Sequence, residues 1–356
     1  MQTSVSVAII CLLLSLEAKA RAFRPEAGSL LSNGLALPIE YDLLESQTKS
    51  GVPAGSSFWS SSFIHGSDNH DYMIVSHVLA GLPVSPSMYR GSILDITNSS
   101  RYGRFEIFSN ISEVYSDTGN LNTSYPDYGF SSVGSDEAPA MRTWSAVSGA
   151  EFDLTFELSS PALLNGGLGS FKAGNTTAYE WGVPAGKTKG WFRVDGSKVS
   201  VDAERTLTWY DRQWNGAPAS WTWFELHIES GNHGASATPY SIWVWGEDTP
   251  GGSAGLATLR DAAGIQRVVP VVSMVTSSRT FTSPVTGIVY NLDWTLKLAD
   301  GTEFCASSVR EDQELYGEGG LFPTYEGFAT VSGVYNDGQK VKGYGLVEIN
   351  SPGPAS

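Results

Sequence analysis

The sequence predicts an all-β protein of two domains, each an up-and-down barrel or a sandwich. Three observations predict it. The chain has 356 residues, enough for two domains that each bury a core. It holds 39 Gly, 11 Trp, 15 Tyr and 15 Phe, a composition of tight turns and aromatic strands. From residue 57 onward short β-rich runs alternate with turn-forming clusters, and no segment keeps a helical period over three turns.

Residues 57–65 and 72–79 are β-rich runs joined by Gly66-Ser-Asp-Asn-His-Asp, a turn cluster. Residues 92–97, 104–108, 141–145, 151–158, 191–194 and 207–210 continue the pattern, and residues 109–140 read as a long polar loop or hairpin insertion. Asp211–Ser220 breaks the series and sets the domain boundary. The domains are expected at 21–215 and 216–356, behind a signal peptide at 1–20. The second half supplies about eight more strands, 221–228, 241–246, 255–260, 274–281, 290–297, 303–309, 328–334 and 343–349. Both halves open with a Trp-containing strand, an Asn-His turn (Asn69-His70, Asn232-His233) and a strand headed by Tyr72 or Tyr240, a hint of two related barrels.

Compartment follows from the N-terminus. Val5–Leu16 is apolar but too short for a bilayer, and Ala18-Lys19-Ala20 suits signal peptidase, so secretion with cleavage near Ala20 is expected. Sequons at Asn98, Asn110, Asn122 and Asn175 fit a secreted glycoprotein. Of the two cysteines, Cys11 leaves with the signal peptide, and Cys305 in Glu-Phe-Cys-Ala is expected to be a small buried hydrophobe. A formal charge of −15 argues against nucleic-acid and membrane-surface partners.

The chain lacks GxSxG, HExxH, CxxC, P-loop and strand-flanked GxGxxG motifs, so no metal, nucleotide or redox cofactor is expected. The chemistry is sought in polar-aromatic strand faces. In Trp221-Thr-Trp-Phe-Glu-Leu-His-Ile-Glu229, positions 221, 223, 225, 227 and 229 share one side. Glu225 and His227 on an apolar strand form the candidate acid–base pair. Trp223, Trp243, Tyr344, His65, His77 and Tyr210 are the candidate substrate-binding residues. The expected pocket lies between the domains, its polar-aromatic face lining a barrel lumen that takes a flat, partly apolar ligand. Asp211-Arg-Gln-Trp and Arg310-Glu-Asp-Gln-Glu read as joints, with Arg212 pinning the domains through a carboxylate.

Trp209-Tyr-Asp-Arg-Gln-Trp-Asn-Gly followed by Trp221-Thr-Trp-Phe-Glu-Leu-His resembles the interdomain signature of the hydroxyneurosporene-synthase superfamily. Ser241-Ile-Trp-Val-Trp, Tyr325-Glu-Gly-Phe-Ala-Thr-Val-Ser-Gly and Gly343-Tyr-Gly-Leu-Val-Glu-Ile agree with it. Ser57-Phe-Trp-Ser-Ser-Ser-Phe-Ile-His-Gly-Ser-Asp and Arg90-Gly-Ser-Ile-Leu-Asp-Ile-Thr-Asn resemble the secreted kievitone-hydratase branch. The resemblance implies lipocalin-like β domains with a pocket near their interface. It also implies a cofactor-independent reaction, since relatives include hydratases, fungal Diels–Alderases and hetero-Diels–Alderases acting on tropolone quinone methides. The leading expectation is a (hetero-)Diels–Alder cycloaddition on an apolar polyketide or terpenoid, in some versions after dehydration. A hydratase or dehydratase of a phenolic or isoprenoid C=C bond is the alternative, and a lipocalin-type carrier is the non-catalytic one.

Overall fold

The computed structural model describes residues 43, 45–47, 55–80, 87–109, 121–133, 140–173, 176–229, 237–246, 254–261 and 263–351. The expected signal peptide, Cys11, Asn110, Asn175 and the Asn232-His233 turn lie outside the described residues.

The described chain is 68% strand and only 3% helix, and two large antiparallel sheets hold most of the strands. The first contains β1 (Ser56–Gly66), β2 (Asp71–Ala80), β3 (Ser87–Asp95), β4 (Tyr102–Ser109), β5 (Asn122–Ser124), β6 (Tyr128–Ser132), β7 (Ala140–Ser145), β8 (Phe152–Leu158), β9 (Leu163–Leu164), β10 (Ser170–Ala173), β11 (Thr176–Val183), β12 (Gly186–Val194) and β13 (Ser197–Trp214). The second contains β14 (Trp221–Glu229), β15 (Thr238–Trp245), β16 (Ala254–Arg260), β17 (Gln266–Thr276), β20 (Asp293–Leu298), β21 (Glu303–Ser308), β22 (Glu314–Leu315), β23 (Thr324–Val334) and β24 (Lys340–Asn350). A separate hairpin, β18 (Thr280–Thr282) with β19 (Val289–Asn291), lies between β17 and β20 in the chain.

The first sheet curls into a half-barrel, ordered β4-β3-β2-β1-β13-β12-β8-β7-β6-β5. The 18-residue β13 is its spine, pairing with β1, β11 and β12. The second sheet closes on itself, because β21 pairs with β23 as well as β20, giving an eight-stranded barrel. Two short strands, β5 and β6, occupy part of the 109–140 stretch read as a loop. β13 continues through Asp211–Trp214, so the break between the sheets falls at residues 215–220. There the sequence turns to Asn-Gly-Ala-Pro, and Asn215 takes a positive φ of 74°.

Each sheet has its own core. Phe58, Tyr72, Tyr89, Phe130, Phe156 and Tyr210 belong to the half-barrel's. Phe224, Leu226, Ile228, Ile242, Trp294 and Phe304 belong to the closed barrel's. The lumen is thus filled, as small eight-stranded barrels are, and does not hold the expected ligand box. The polar-aromatic face of β14 lies on the outside of the barrel, covered by the half-barrel. A third cluster forms there, including Trp59, Phe63, Met73, Trp209, Trp223 and Trp243. Both faces of β14 are buried, which is why alternation alone assigns neither to the lumen.

Cys305 is exposed on β21, while its neighbours Phe304 and Ala306 are buried. Strand alternation overrides the apolar local sequence. Asn98 and Asn122 are exposed.

Candidate active site between the sheets

Pairing in register assembles the expected face. Trp223 stands opposite Trp243 on β15, and His227 opposite Tyr344 on β24. Facing them, β1 presents Ser57, Trp59, Ser61, Phe63 and His65 at period two. The seam between the sheets opens into a cavity at each end and is solid in the middle.

The solid middle holds the expected catalytic pair. His227 Nε2 lies 2.9 Å from Glu225 Oε1, and Ser61 Oγ donates to Glu225 Oε2 at 2.6 Å. Glu225 is 0% and His227 2% exposed. Phe63, Trp209 and Tyr344 surround the imidazole at centroid distances of 5.6, 5.7 and 5.6 Å. Neither residue lines either cavity, so both are a buried polar septum.

The first cavity, about 770 Å³, takes in Trp223, Trp243 and His77 from the expected set. Trp59 and Trp221 complete an indole wall, with Trp59 edge-on to Trp223 at 5.2 Å. His65 and Tyr344 lie in the second cavity, about 420 Å³, at the far end of the seam. Tyr210 reaches neither. It points to the opposite face of β13 from Trp209 and Asp211, into the half-barrel core, and donates to Gln47 Oε1 at 2.9 Å. Its even position on a period-two strand dictates that.

Sequence reasoning missed the charged groups of the first cavity. Arg90, Asp211 and Glu348 line it, carried by three strands far apart in sequence. Arg90 is buried and reaches Glu326 at 2.8 Å, Glu348 at 3.5 Å and Glu106 at 4.0 Å. Three buried carboxyls share one guanidinium, and burial dominates their titration. It pushes Glu106 up to about 8 and Glu326 to about 7 and raises Glu348, with Arg90 opposing each shift. Trp59 Nε1 donates to Glu326 at 2.9 Å and Trp221 Nε1 to Glu348 at 2.7 Å, so the indole wall is anchored on these acids.

Asp211 is held well above the ordinary carboxyl range, first by burial, against the Trp209 indole that favours the anion. Glu348 and Glu225 push it further up. Glu180, on β11, is also fully buried, and burial first, then the neighbouring Asp211, raises it well above the ordinary carboxyl range. Its Oε1 accepts from Trp243 Nε1 at 3.0 Å and Asn165 Nδ2 at 2.5 Å. Gly182 leaves room for this packing, since a Cβ there would lie 2.8 Å from Asp211 Oδ1. His77 titrates in the other direction. Burial, then Arg90, lowers it well below the ordinary imidazole value, so it is neutral at pH 7. Its Nε2 lies 2.9 Å from Ser57 Oγ, and Nδ1 has no partner among the described residues.

Of the two motifs read as joints, the second joins the sheets, while Arg212 of the first binds carbonyls within the half-barrel and not the expected interdomain carboxylate. Arg212 donates to the carbonyls of Ser46, Ser57 and Gln213 and stacks on Phe58 and Trp214. Asp312 bridges Arg104 on β4 at 2.5 Å, and Arg310 donates to Ser99 O at 2.7 Å, tying the barrel to the half-barrel. Among the described residues no group of three or more His, Cys, Asp or Glu is placed to hold a metal ion.

Comparison with known proteins bears on this site. A family model described as AttH-like matches residues 101–352. The chain belongs to the AttH-like family. The AttH-like chain is 33% identical over 347 residues to kievitone hydratase of Fusarium solani subsp. phaseoli, covering 96% of this chain and 95% of the relative. It is 32% identical over 356 residues to dehydratase asqC of Emericella nidulans, covering 96% and 98%. The crystal structure of kievitone hydratase from Nectria haematococca superposes with a TM-score of 0.76 at 35% identity, over 88% of this chain and 93% of that one. The AttH-like fold of two β units and the expected family are thereby shown, and the relatives by sequence are a hydratase and a dehydratase.

Proposed function

We propose that this AttH-like protein is a hydro-lyase that removes or adds water across a carbon–carbon bond of a flat, largely apolar substrate. One observation carries the reading. The indole-walled cavity holds a carboxyl whose hold on its proton burial strengthens, Asp211, together with an imidazole whose hold burial weakens, His77. Two groups whose environments push their proton affinities apart are an acid and a base ready at one pH.

In the eliminating direction Asp211 gives its proton to the leaving hydroxyl, which departs as water. His77 takes the proton from the neighbouring carbon, and that C–H pair becomes the new π bond. The water formed then carries the proton from His77 back to Asp211, and the balance closes. Hydration is the same path reversed. The Trp59, Trp221, Trp223 and Trp243 indoles hold the substrate plane and keep bulk water out. Arg90 holds the acids that anchor two of those indoles and so keeps the wall in place. Glu225, whose charge raises Asp211, and His227 line neither cavity and have no part in the step. Two enzymes of hydration and dehydration among the relatives support the reading.

The second reading is a cycloaddition after the loss of water. The five tryptophans lining the cavity, Trp214 among them, favour it, because a diene and its partner must lie face to face between aromatic walls.

The test is incubation in D₂O with phenolic and isoprenoid alcohols and alkenes, followed by mass spectrometry. Loss of one water, or gain of one with deuterium fixed at the adjacent carbon, is expected. It should fall at least ~100-fold in Asp211→Asn and His77→Gln. Compounds that bind and return unchanged and undeuterated would make the protein a carrier. A bimolecular adduct whose yield is indifferent to both substitutions would favour the cycloaddition.

A further inference from the structure

The loop between β22 and β23, residues 316–323, runs to the mouth of the first cavity, and one of its residues breaks a backbone rule. Among the described residues the non-glycines with a positive φ are Asn69, Asp195, Asn215 and Phe322. Asn and Asp tolerate that left-handed region, because their short side chains bond locally. Phe does not. Phe322, at 48°, also precedes Pro323, a position that favours an extended backbone. The same loop uses glycine for its other positive angles, 72° at Gly319 and 79° at Gly320. An aromatic ring is thus kept at 322 at a cost in strain that a third glycine would avoid.

The conformation is held in place. Gly317 N donates to Leu321 O and Gly320 N to Gly317 O, each at 2.9 Å, which closes the loop directly before Phe322. Gly317 lies against Phe108 so closely that a Cβ would overlap the ring. The Phe322 ring stands 5.6 Å from the same Phe108 ring and lines the first cavity. Among the described residues that line that cavity, Phe322 and Asn215 are the exposed ones, so they mark its mouth. A single exposed ring is ordinary on a protein surface. Backbone strain kept at a ligand site is a sign of function, and a ring 48% exposed gives an apolar group something to cover. A volume of about 770 Å³ also exceeds what a flat two-ring body fills, which leaves room for an arm that reaches the mouth.

We propose that Phe322 is a specificity residue, which contacts the apolar arm of a substrate whose flat body lies against the indoles. It selects substrates extended by an alkyl chain or a further ring over compact or polar-armed ones. The proposal rests on the first cavity being the substrate site, as the hydro-lyase reading has it, and not on the chemistry performed there.

The probes are 2-naphthylmethanol, its 6-pentyl derivative, and a derivative whose arm is an ether chain of the same length. The ¹³C-labelled methyl of Met88, which lines the cavity, reports occupancy. The fluorine of 4-fluorophenylalanine installed at position 322 of the full chain reports contact at the mouth. All three probes should shift Met88 saturably, and the pentyl compound should move the fluorine most. It should bind about tenfold more tightly than the parent, while the ether should gain little. Phe322→Ala should bind the parent as the wild type does and lose the pentyl advantage severalfold. Phe322→Gly should lose it too while melting no lower than the wild type, because glycine relieves the backbone. A pentyl advantage unchanged in both variants, or a fluorine unmoved while Met88 saturates, would overturn this proposal and leave the hydro-lyase reading standing. A glycine variant that melts lower and binds every probe equally more weakly would make Phe322 a packing residue and overturn the proposal in the same way. No shift of Met88 by any probe would overturn the cavity as the ligand site, and both readings with it.

Discussion

Glu106 sits on β4, 7% exposed and 4.0 Å from Arg90, whose guanidinium lies nearer to Glu326 and Glu348. Replacing it by Gln removes a carboxyl that burial pushes up from 4.5 to about 8 and keeps the shape. The sign follows from linkage. The folded state holds this proton more tightly than the unfolded chain, so the group's stabilising contribution is present in full below pH 4.5. It is lost as the pH rises towards about 8. Each pH unit in that window withdraws ~1.4 kcal/mol, and from pH 5 to 7.5 the gross loss is ~3 kcal/mol. Local relaxation and water entry reduce this to on the order of 2 kcal/mol, or roughly 5 °C in melting temperature for a protein of this size. Thermal melts of wild type and Glu106→Gln across pH 5–8.5 supply the assay. The variant should match or fall below the wild type at pH 5 and exceed it at pH 8. A difference that does not change with pH, or a variant that loses ground as pH rises, would refute the reasoning. It would mean that Glu106 stays ionised beside Arg90.

Three further outcomes follow. The turnover of the wild type should stay level across neutral pH, because His77 is free of its proton well below the usual imidazole range and Asp211 keeps its proton well above the usual carboxyl range. In His77→Gln the residual rate should lose its acid limb, and a limb that persists unchanged would assign the base elsewhere. Glu180→Gln, which still offers Trp243 an acceptor, should alter the pH profile through Asp211 with little change in KM. Glu180→Leu should raise KM severalfold by releasing the indole, and identical behaviour of the two variants would make Glu180 a packing residue only. Protein from a eukaryotic host should begin near Arg21 and carry glycan at Asn98 or Asn122, which mass spectrometry of the intact chain reads directly. A soluble product that retains Met1 would remove the case for secretion.

The legible parts of the fold were those written in one strand and its neighbour. Period two along residues 221–229 placed Trp223, Glu225 and His227 on one face, and pairing with β15 and β24 brought Trp243 and Tyr344 beside them. Which way that face pointed was not legible, because Thr222, Phe224, Leu226 and Ile228 are as buried as their alternates. The same ambiguity put Tyr210 on the wrong side of β13. The acid cluster was beyond reach for a different reason. Arg90, Glu106, Asp211, Glu326 and Glu348 come from five strands, and each alone reads as an ordinary charged residue in a β run. Burial by the opposing sheet gives them their chemistry, and no local pattern encodes that. Barrel closure depends likewise on the β21–β23 pairing, a long-range fact.

The filled barrel has a consequence for how such a protein can diversify. On β14 Phe224, Leu226 and Ile228 sit in the barrel core, while Trp221 and Trp223 at odd positions line the first cavity. Heredity can therefore edit one side of a strand without consulting the other. Substitutions at odd positions near the cavity change its lining, while the barrel interior behind it is left as it was. A combinatorial library confined to residues 59, 221, 223 and 243 should yield a larger share of folded variants than one of equal size at 224, 226, 242 and 244.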